Sequence, residues 1–223
     1  MKFRHELKHA ITPEDRLILR SRLNAVMKID PHAKDGVYHI RSLYFDNIDD
    51  IALVEKTNGV ARREKFRIRY YNGDTSFIHL EKKSKIVNLC NKLSCPIEAS
   101  EVQRIIDGDI SWMKDDKREL VNELYVKMRG TGLKPKTIVD YTRDPYIYKA
   151  GNVRVTLDYD IRTATDYRNF LDWNCVTVPA DPTAIILEVK WDEYLPDIIR
   201  DVVQLKSCQT GAYSKYAACR VYG

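Results

Sequence analysis

The sequence predicts an α+β protein in which about eight antiparallel strands form a barrel or a strongly curved sheet, with helices before, within and after them. The first observation is that charged residues recur at every second position of strand-like segments, as in RIR at 67–69 and EVK at 188–190. Successive side chains of a strand point to opposite faces, so each segment has one charged and one apolar face. The second observation is that turn and helix-start residues separate these segments.

The predicted elements follow in chain order. An opening strand at 2–11 ends at Thr12, a predicted N-cap, and Pro13 begins a helix that extends to about Lys28. Asn72-Gly73-Asp74 supplies a hairpin turn. The other predicted strands lie at 37–46, 64–71, 76–83, 85–94, 136–148, 153–161 and 185–191, and the other helices at 98–108, 115–129, 192–205 and 213–220. Nothing marks a linker, so residues 1–223 are expected to form a single domain.

Composition narrows the class of partner. The chain has 37 Lys and Arg against 32 Asp and Glu, a net charge of +5, and charged residues make up 31% of its 223 residues. It lacks the lysine-rich tail or stripe of a nonspecific DNA binder, so duplex nucleic acid is not the expected partner. An anion smaller than a duplex is the better expectation.

Cysteines and apolar segments indicate the compartment. The five cysteines include no CxxC pair and are expected to be reduced structural thiols; they are Cys90, Cys95, Cys175, Cys208 and Cys219. No apolar run approaches the length of a membrane span, and the first residues lack a signal-peptide core. We therefore expect a soluble, cytoplasmic chain without a membrane segment. The sequence does not indicate an oligomeric state.

Two interpretations compete for the charged alternation. An antiparallel sheet commonly has one face in water, which would explain it without any function. Alternatively, the charged face lines the inside of a barrel whose apolar outside is covered by helices. The charged face is rich in Arg and contains few of the Ser, Thr and Gln residues that dilute a merely solvated face, which favours the second interpretation.

Charged residues of one strand parity are mostly cations. The cations are Arg4, Lys8, Arg67, Arg69, Lys83, Arg143, Arg154 and Lys190, and the carboxylates are Glu6, Glu81, Asp158 and Glu188. Clustered cations require a polyanion to neutralise them, and the planar guanidinium of Arg matches phosphate oxygens. Carboxylates within a phosphate site are explained if they hold Mg²⁺ or Mn²⁺. The combination predicts a metal-dependent site for a nucleotide or a chain of phosphates.

Sequence motifs for other chemistries are absent. The sequence contains no GxxxxGK[ST] or GxGxxG phosphate loop, no kinase signature, no GxSxG nucleophile motif and no HExxH zinc motif. Its five histidines show no metal-ligand spacing. Side chains on strands would therefore have to hold the phosphates.

Eight segments together resemble the VTC domain, the polyphosphate polymerase module of the CYTH, or triphosphate tunnel metalloenzyme, superfamily. They are RHELKHAI (4–11), YHIRSLYFDN (38–47), REKFRIRYY (63–71), LEKKSK (80–85), LKPKTIVDYTRDPY (133–146), VRVTLDYDI (153–161), ILEVKW (186–191) and SKYAACR (214–220). The resemblance covers nearly the whole chain in the family's order. It implies an eight-stranded antiparallel β-barrel tunnel with flanking helices and a terminal closing helix.

The resemblance also implies roles for individual residues. Those implied to act on the phosphates in catalysis are Arg67, Arg69, Lys83, Arg143 and Arg154. Those implied to bind substrate are Arg4, Lys8, Lys190 and Lys215, the last on the terminal helix. Metal binding is implied for Glu188, and Glu6 and Glu81 occupy motif positions that would add carboxylates. The implied partners are ATP and inorganic polyphosphate or triphosphate, with Mn²⁺ or Mg²⁺ as cofactor.

Two features depart from the wider superfamily. Arg4 stands where the ExExK motif has its first Glu, so one carboxylate is missing, which favours a polymerase with one metal over a two-metal hydrolase. The SPX domain and membrane helices of the eukaryotic complex have no counterpart in the sequence. Inositol-phosphate sensing and polymer translocation are therefore not carried over.

Several residues have non-catalytic interpretations. Asp158 could simply pair with a neighbouring Arg, Arg41 and Lys65 are expected to be charges at the barrel rim, and Asp144 before Pro145 to belong to a turn. The three tryptophans, Trp112, Trp173 and Trp191, are expected to be hydrophobic cover. An adenine ring could stack on a tyrosine such as Tyr44 or Tyr70.

The leading hypothesis is transfer of the ATP γ-phosphate to a growing polyphosphate chain. The first alternative is a metal-dependent tripolyphosphatase or nucleoside triphosphatase of the same fold, which uses water as acceptor. A second alternative is a non-catalytic polyphosphate-binding module. A third and weaker alternative is binding of single-stranded RNA, since basic and aromatic residues also alternate in proteins that bind it.

Overall fold

A computed structural model describes residues 4–86, 89–205, 209–210 and 213–222 of the chain. Its strands are β1 (His5–Ile11), β2 (Lys28–Ile29), β3 (Tyr38–Asp46), β4 (Arg62–Tyr71), β5 (Asp74–Ile86), β6 (Leu89–Ile97), β7 (Lys134–Tyr148), β8 (Val153–Ala164), β9 (Thr177–Asp181), β10 (Ile185–Trp191) and β11 (Gln209–Thr210). Its helices are α1 (Pro13–Val26), α2 (Ile51–Thr57), α3 (Ala99–Asp107), α4 (Glu119–Gly130), α5 (Asp197–Val203) and α6 (Lys215–Cys219). Short 3₁₀ helices occupy Ser111–Met113, Ala150–Asn152, Tyr167–Leu171 and Arg220–Tyr222.

The strands form one large antiparallel sheet, so the α+β class is confirmed. Hydrogen-bonded neighbours follow the order β11-β1-β10-β8-β7-β3-β4-β5-β6, with β2 on β7 and β9 on β8. The sheet is open in this order, and the closed barrel expected from the sequence is not confirmed. All of the long strands were predicted, whereas the short strands β2, β9 and β11 and the helix α2 were not.

Local sequence explains how α1 begins. Thr12 has extended backbone angles and its hydroxyl accepts a hydrogen bond from the Asp15 amide at 3.1 Å, while the Thr12 amide donates to the Asp15 carboxylate at 3.3 Å. This reciprocal pair is a capping box, and Pro13 begins the helix where no amide donor is needed. The N-cap prediction is therefore confirmed. The helix ends at Val26, two residues before the predicted end.

The turn between β4 and β5 depends on Asn72 and Gly73. Both have positive φ, 54° and 72°, which is the backbone geometry that suits the twist of a two-residue hairpin. At the other end of the chain, the predicted helix at 192–205 begins only at Asp197. Pro196 explains the late start, because a proline disfavours helical backbone at the residue before it.

The chain divides into two compact units. Unit 1 comprises Met1–His39, Tyr141–Ile161 and Asp181–Lys215, and unit 2 comprises Ile40–Asp140, Arg162–Ala180 and Tyr216–Gly223. The single-domain assignment stays a prediction. Within the described residues, no helix combines the length and apolar composition that crossing a bilayer requires.

Unit 1 buries the apolar faces of β8 and β10, together with Ile11 of β1, beneath α1 and α5. Leu157 and Leu187 lie directly opposite each other on β8 and β10, and Leu19, Leu23 and Ile199 from the helices join the same core. Because the core uses one parity of each strand, the charged parity lies on the other face.

Unit 2 follows the same plan with different helices. Leu43, Ile68 and Leu80 form a row across β3, β4 and β5, and this face packs against Val102 of α3 and Leu124 of α4. Its opposite face carries Arg67 and Arg69, as the alternation in the sequence predicts.

Candidate functional site

Strand register sets the charged side chains of unit 1 in rows. Glu6 on β1, Lys190 on β10 and Arg154 on β8 are successive cross-strand partners, and Lys8, Glu188 and Thr156 form the adjacent row. Directly opposed residues of antiparallel strands lie on the same face of the sheet. The register therefore brings together charged residues that are far apart in the sequence.

Glu188 is the centre of this group. It is 5% exposed, and its carboxylate oxygens contact Lys190 Nζ at 2.6 Å and Lys8 Nζ at 3.0 Å, with the Arg143 guanidinium at 3.7 Å. Lys8 also contacts Glu6 at 2.9 Å, and Lys190 lies 3.6 Å from Glu6. Each lysine therefore bridges the same two carboxylates.

Charge state follows from these contacts. Burial alone would raise the pKa of Glu188, but Lys190, Lys8 and Arg143 outweigh it and hold that pKa well below its usual range. Burial opposes the charge of Lys8, yet Glu188 and Glu6 outweigh it and raise the pKa of Lys8. Lys190 differs, because burial there is the stronger effect and lowers its pKa. Glu188 is thus a carboxylate at neutral pH.

A second buried carboxylate, Asp158, holds two of the predicted basic residues. Arg143 donates to both Asp158 oxygens, at 2.6 and 2.8 Å, and Lys215 Nζ contacts the same group at 2.6 Å. Burial raises the pKa of Asp158, but the two cations outweigh it and lower that pKa below its usual range. The suggestion that Asp158 pairs with an Arg is confirmed, and the contact also fixes Lys215 at the start of α6.

Arg4 and Arg154 lie at the edge of the unit 1 group. Arg4 contacts the Asp192 carboxylate at 2.9 Å and donates to the Asn152 carbonyl, so it is held beside the loop that follows β10. Arg154 is exposed, and its position is set by pairing with Lys190 in the register.

The charged face of unit 2 is more strongly basic. Arg67 and Glu81 are cross-strand partners on β4 and β5, and the neighbouring row places Lys65, Lys83 and Lys92 side by side. Opposed like charges destabilise a sheet unless an anion neutralises them. This face therefore favours anion binding.

Glu81 is the carboxylate of this face and is 4% exposed. Its Oε2 accepts from Arg67 Nε at 2.6 Å, and its Oε1 contacts Lys92. Burial raises the pKa of Glu81, but Arg67, Arg69 and Lys92 outweigh it and lower that pKa to about 2. Both oxygens of this carboxylate are therefore engaged with cations.

Arg69 and Tyr44 complete the unit 2 group. Arg69 is 5% exposed, and its Nε donates to the Ser42 hydroxyl at 2.8 Å. The Tyr44 hydroxyl accepts from Arg67 at 2.9 Å, and its ring stacks on Tyr216 of α6 at 5.1 Å. Burial would raise the pKa of Tyr44, but Arg67, Lys65 and Arg69 outweigh it and lower that pKa to about 7.

Three interpretations of single residues were wrong. Arg41 is no rim charge but a 2% exposed residue that donates to Asp140 at 2.7 Å. Asp144 lies within β7 and holds Arg16 of α1 at 3.0 Å, so it belongs to no turn. Tyr70 is fully buried and donates its hydroxyl to the Phe170 carbonyl at 2.7 Å, so it offers no face for a base.

Other residue predictions have mixed outcomes. Trp112 and Trp191 pack against the cores of their units as expected. Cys95, Cys175 and Cys219 are free thiols, whereas Cys208 lies outside the described residues and the side chain of Cys90 is not described.

Two residues of the unit 2 face were missed in the sequence. Lys92 is the sole charged residue of its strand, LCNKLSCPI, so no alternation of charges marks it in the sequence. Tyr216 stands next to Lys215 in the SKYAACR motif, and only the fold brings its ring onto Tyr44.

Glu188 and Glu6 offer oxygen donors that suit Mg²⁺ or Mn²⁺. Among the residues that the structure describes, no group of three or more His, Cys, Asp or Glu side chains is arranged to hold a metal. Mg²⁺ is commonly bound by one or two carboxylates together with substrate phosphates, so this pair fits a metal that phosphate oxygens complete. Glu81 lies in unit 2 and is not part of this pair.

Comparison with known structures gives distant likenesses. A protein from Pyrococcus horikoshii is 14% identical with a TM-score of 0.43, covering 89% of this chain and 84% of that chain. A candidate adenylate cyclase from Bacillus halodurans is 12% identical with a TM-score of 0.47, covering 85% and 80%. A conserved hypothetical protein from Pyrococcus furiosus is 14% identical with a TM-score of 0.44, covering 90% and 85%.

No curated protein matches the sequence. The model of one protein family does match it, over residues 3–222, which is nearly the full length of the chain. That range contains every segment on which the resemblance rested and both charged faces. The chain therefore belongs to the VTC domain family.

Proposed function

We propose that the protein is a polyphosphate polymerase that transfers the γ-phosphate of ATP to the end of a polyphosphate chain. Membership of the VTC domain family supports this proposal, because the resemblance implies that activity. The observation that carries it is the group around Glu188. A buried carboxylate lies among Lys8, Lys190 and Arg143, which is how a site for phosphate and a divalent cation would be built.

The substrates would be ATP and inorganic polyphosphate. We propose that Arg67, Arg69 and Lys83 on the charged face of unit 2, and Arg143 and Arg154 on that of unit 1, hold phosphates. Guanidinium groups match phosphate oxygens in two-point contacts, and lysines add charge with less geometric demand. The cations of both faces outnumber the carboxylates, so a bound polyanion would relieve their repulsion.

Glu188 and Glu6 would hold the metal, either Mn²⁺ or Mg²⁺. A bound divalent cation would neutralise charge on the transferred phosphoryl group. Lys8 and Lys190 now bridge these two carboxylates, so in the substrate complex they would turn to phosphate oxygens. Glu81 instead would orient Arg67 and Lys92, because its two oxygens are engaged with those cations.

Catalysis would consist of positioning and charge neutralisation, as in other phosphoryl transfers. The attacking group is the terminal phosphate of the chain, which is already an anion and needs no general base. Arg143, held by both oxygens of Asp158, presents a fixed guanidinium next to Glu188. Such a preorganised cation stabilises charge that develops during transfer without reorganising.

Hydrolysis of tripolyphosphate or a nucleoside triphosphate is the second candidate, and a binding module without turnover is the third. Arg4 occupies the position where the superfamily motif has its first glutamate, and it is held by Asp192. The residues present thus provide one carboxylate fewer for a second metal, which favours the polymerase.

Product analysis tests the proposal. The protein is incubated with ATP and Mn²⁺, with and without a short polyphosphate primer, and product length is read on a gel. Chains that lengthen with time, with ADP as the other product, are expected. Release of orthophosphate without longer chains would support the hydrolase, and binding of polyphosphate without any turnover would support the binding module.

A further inference from the structure

Tyr44 occupies an unusual place for a tyrosine hydroxyl. It lies on β3 in a row with Arg67 and Glu81, on the basic face of unit 2, and it is 6% exposed. Its ring stacks on Tyr216 at 5.1 Å, and its hydroxyl oxygen accepts from Arg67 at 2.9 Å. The stacking fixes the ring, so the hydroxyl is held against the guanidinium.

Arg67 is held from two directions. Its Nε donates to Glu81 at 2.6 Å, and a terminal nitrogen donates to Tyr44 at 2.9 Å. The two acceptors belong to the strands on either side of β4, Glu81 to β5 and Tyr44 to β3. Together they fix the plane of the guanidinium. A guanidinium that is already oriented loses less conformational entropy when it binds phosphate.

The charged groups that face the Tyr44 hydroxyl are cations of β4. Arg67 and Lys65 lie near its ring, at 5.8 and 5.6 Å from the centroid, and Arg69 is the next cation along the strand. Glu81 of β5 acts on it through Arg67, and Tyr216 of α6 covers the ring. Burial opposes ionisation, but the cations outweigh it and lower the pKa of Tyr44 to about 7. By contrast, burial raises the pKa of Tyr70 to about 12.

A phosphate chain bound to this face would shift the ionisation equilibrium of the Tyr44 hydroxyl. Its negative charge opposes that of a tyrosinate, so a bound chain favours the neutral hydroxyl. By thermodynamic linkage, the protein with a neutral Tyr44 hydroxyl must then bind the chain more tightly than the protein with an ionised one. Binding would therefore be accompanied by proton uptake at Tyr44, and affinity would fall as pH rises and the hydroxyl ionises.

We propose that Tyr44 is a positioning residue that holds Arg67 for phosphate and takes up a proton when a phosphate chain binds to the basic face of unit 2. The proposal rests on the proposed function, since it assumes that this face binds phosphate. Tyr44 acts through Arg67 and takes no part in the transfer of the phosphoryl group. When Tyr44 is ionised, its negative charge neutralises part of the positive charge that would attract the phosphate chain.

Calorimetric titration with tripolyphosphate, without metal and with a chelator present, tests this inference. Wild type is compared with Tyr44→Phe between about pH 6 and about pH 8, a range that spans the ionisation of an acid with pKa near 7. One proton can change Kd by at most about tenfold per pH unit. We expect the wild-type Kd to rise severalfold more than the Tyr44→Phe Kd. Tripolyphosphate also ionises in this range, and its protons contribute alike to both proteins. Repeating the titration in buffers of different ionisation enthalpy should therefore show more proton uptake in wild type than in Tyr44→Phe.

Tyr70→Phe is the matched control, because it also removes a buried tyrosine hydroxyl from unit 2 but one bonded to a backbone carbonyl. It should keep the wild-type pH dependence. The ultraviolet difference spectrum of tyrosinate should develop near pH 7 in wild type and in Tyr70→Phe, and should be missing in Tyr44→Phe.

Outcomes separate this inference from the proposed function. Tight binding with the same pH dependence in wild type and Tyr44→Phe would overturn the role of Tyr44 and leave the phosphate site intact. Absence of tripolyphosphate binding at every pH, in a folded protein, would overturn both. Binding whose excess pH dependence disappears only in Tyr44→Phe supports the inference.

Discussion

Glu188 shows at the scale of one residue how a carboxylate and a basic site depend on each other. It is buried and carries its charge because Lys190, Lys8 and Arg143 lie around it. Removing only its charge would leave these cations facing one another, which favours an added anion. An isosteric substitution of Glu188 can therefore separate the effect of its charge, including metal binding, from the effect of its side-chain shape.

Glu188→Gln is expected to abolish metal-dependent product formation while preserving tripolyphosphate binding, or tightening it. The amide keeps the side-chain shape but removes the charge that would hold the metal. Turnover with ATP and Mn²⁺ and metal-free binding of tripolyphosphate are the two measurements. Glu193→Gln, at an exposed position just after β10, is the control and should leave both unchanged. Normal turnover in Glu188→Gln would remove Glu188 from the mechanism.

Arg69→Ala is expected to weaken both phosphate binding and turnover. Arg69 is buried beside Ser42 on the basic face, so its guanidinium would contact phosphate in the ground state and during transfer alike. The loss should therefore be seen in Kd as well as in kcat/KM. Arg168→Ala, which removes an exposed arginine from the same unit, should change neither value. Equal affinity of Arg69→Ala and wild type would contradict the assigned role.

Elements of unit 2 are joined by a buried carboxylate. Asp46, at the end of β3, accepts from the amides of Ala52 at 2.9 Å and Leu53 at 3.2 Å in the first turn of α2. It also accepts from the Tyr216 hydroxyl of α6 at 2.6 Å. Carboxylates favour helix N-termini, so one side chain begins α2 and anchors α6. The ring of the same Tyr216 supports Tyr44.

Asp46→Asn and Tyr216→Phe should be coupled in a double-mutant cycle. Tyr216→Phe removes the donor of this hydrogen bond and Asp46→Asn removes the negative charge of its acceptor, so the second change should cost less once the first is present, with a coupling free energy of about 0.5–3 kcal/mol. Free energies of unfolding from denaturant titration measure it. Combining Asp46→Asn with Tyr70→Phe, whose hydroxyl bonds to Phe170, should give nearly additive costs. Additivity for both pairs would mean that the Asp46 to Tyr216 bond contributes nothing to stability.

At the scale of the whole molecule, each unit places its apolar core on one face of the sheet and its charges on the other. Cations exceed carboxylates on the charged faces, and their repulsion opposes folding until an anion binds. Ligands that bind only the native state raise the apparent stability by mass action.

Tripolyphosphate at millimolar concentration is therefore expected to raise Tm, and added sodium chloride should reduce the shift because salt screens charge. Thermal unfolding followed by circular dichroism measures both effects. Sulfate at the same ionic strength is the control for a general salt effect and should give a smaller shift. An unchanged transition would show that no anion site of this kind exists.

The strand pattern was predictable, while the contacts within the site were not. Alternation along β4 and β10 identified Arg67, Arg69, Glu188 and Lys190, because a period of two is a local property. Register is not local, and only pairing of β1 with β10 and β8 reveals that Lys8 and Glu188 are opposite each other. Burial of Arg41 and Asp144 was missed for the same reason, since their partners lie about 100 or more residues away in the sequence.

A crystal structure of the protein with tripolyphosphate and Mn²⁺ is the most direct test of the central claim, which is that the charged strand faces form a metal-dependent polyphosphate site. The account predicts phosphate density in contact with Lys8 and Arg143. It also predicts an anomalous manganese peak at the Glu188 carboxylate. Phosphate bound only to exposed lysines outside these faces, or manganese bound away from Glu188, would contradict it.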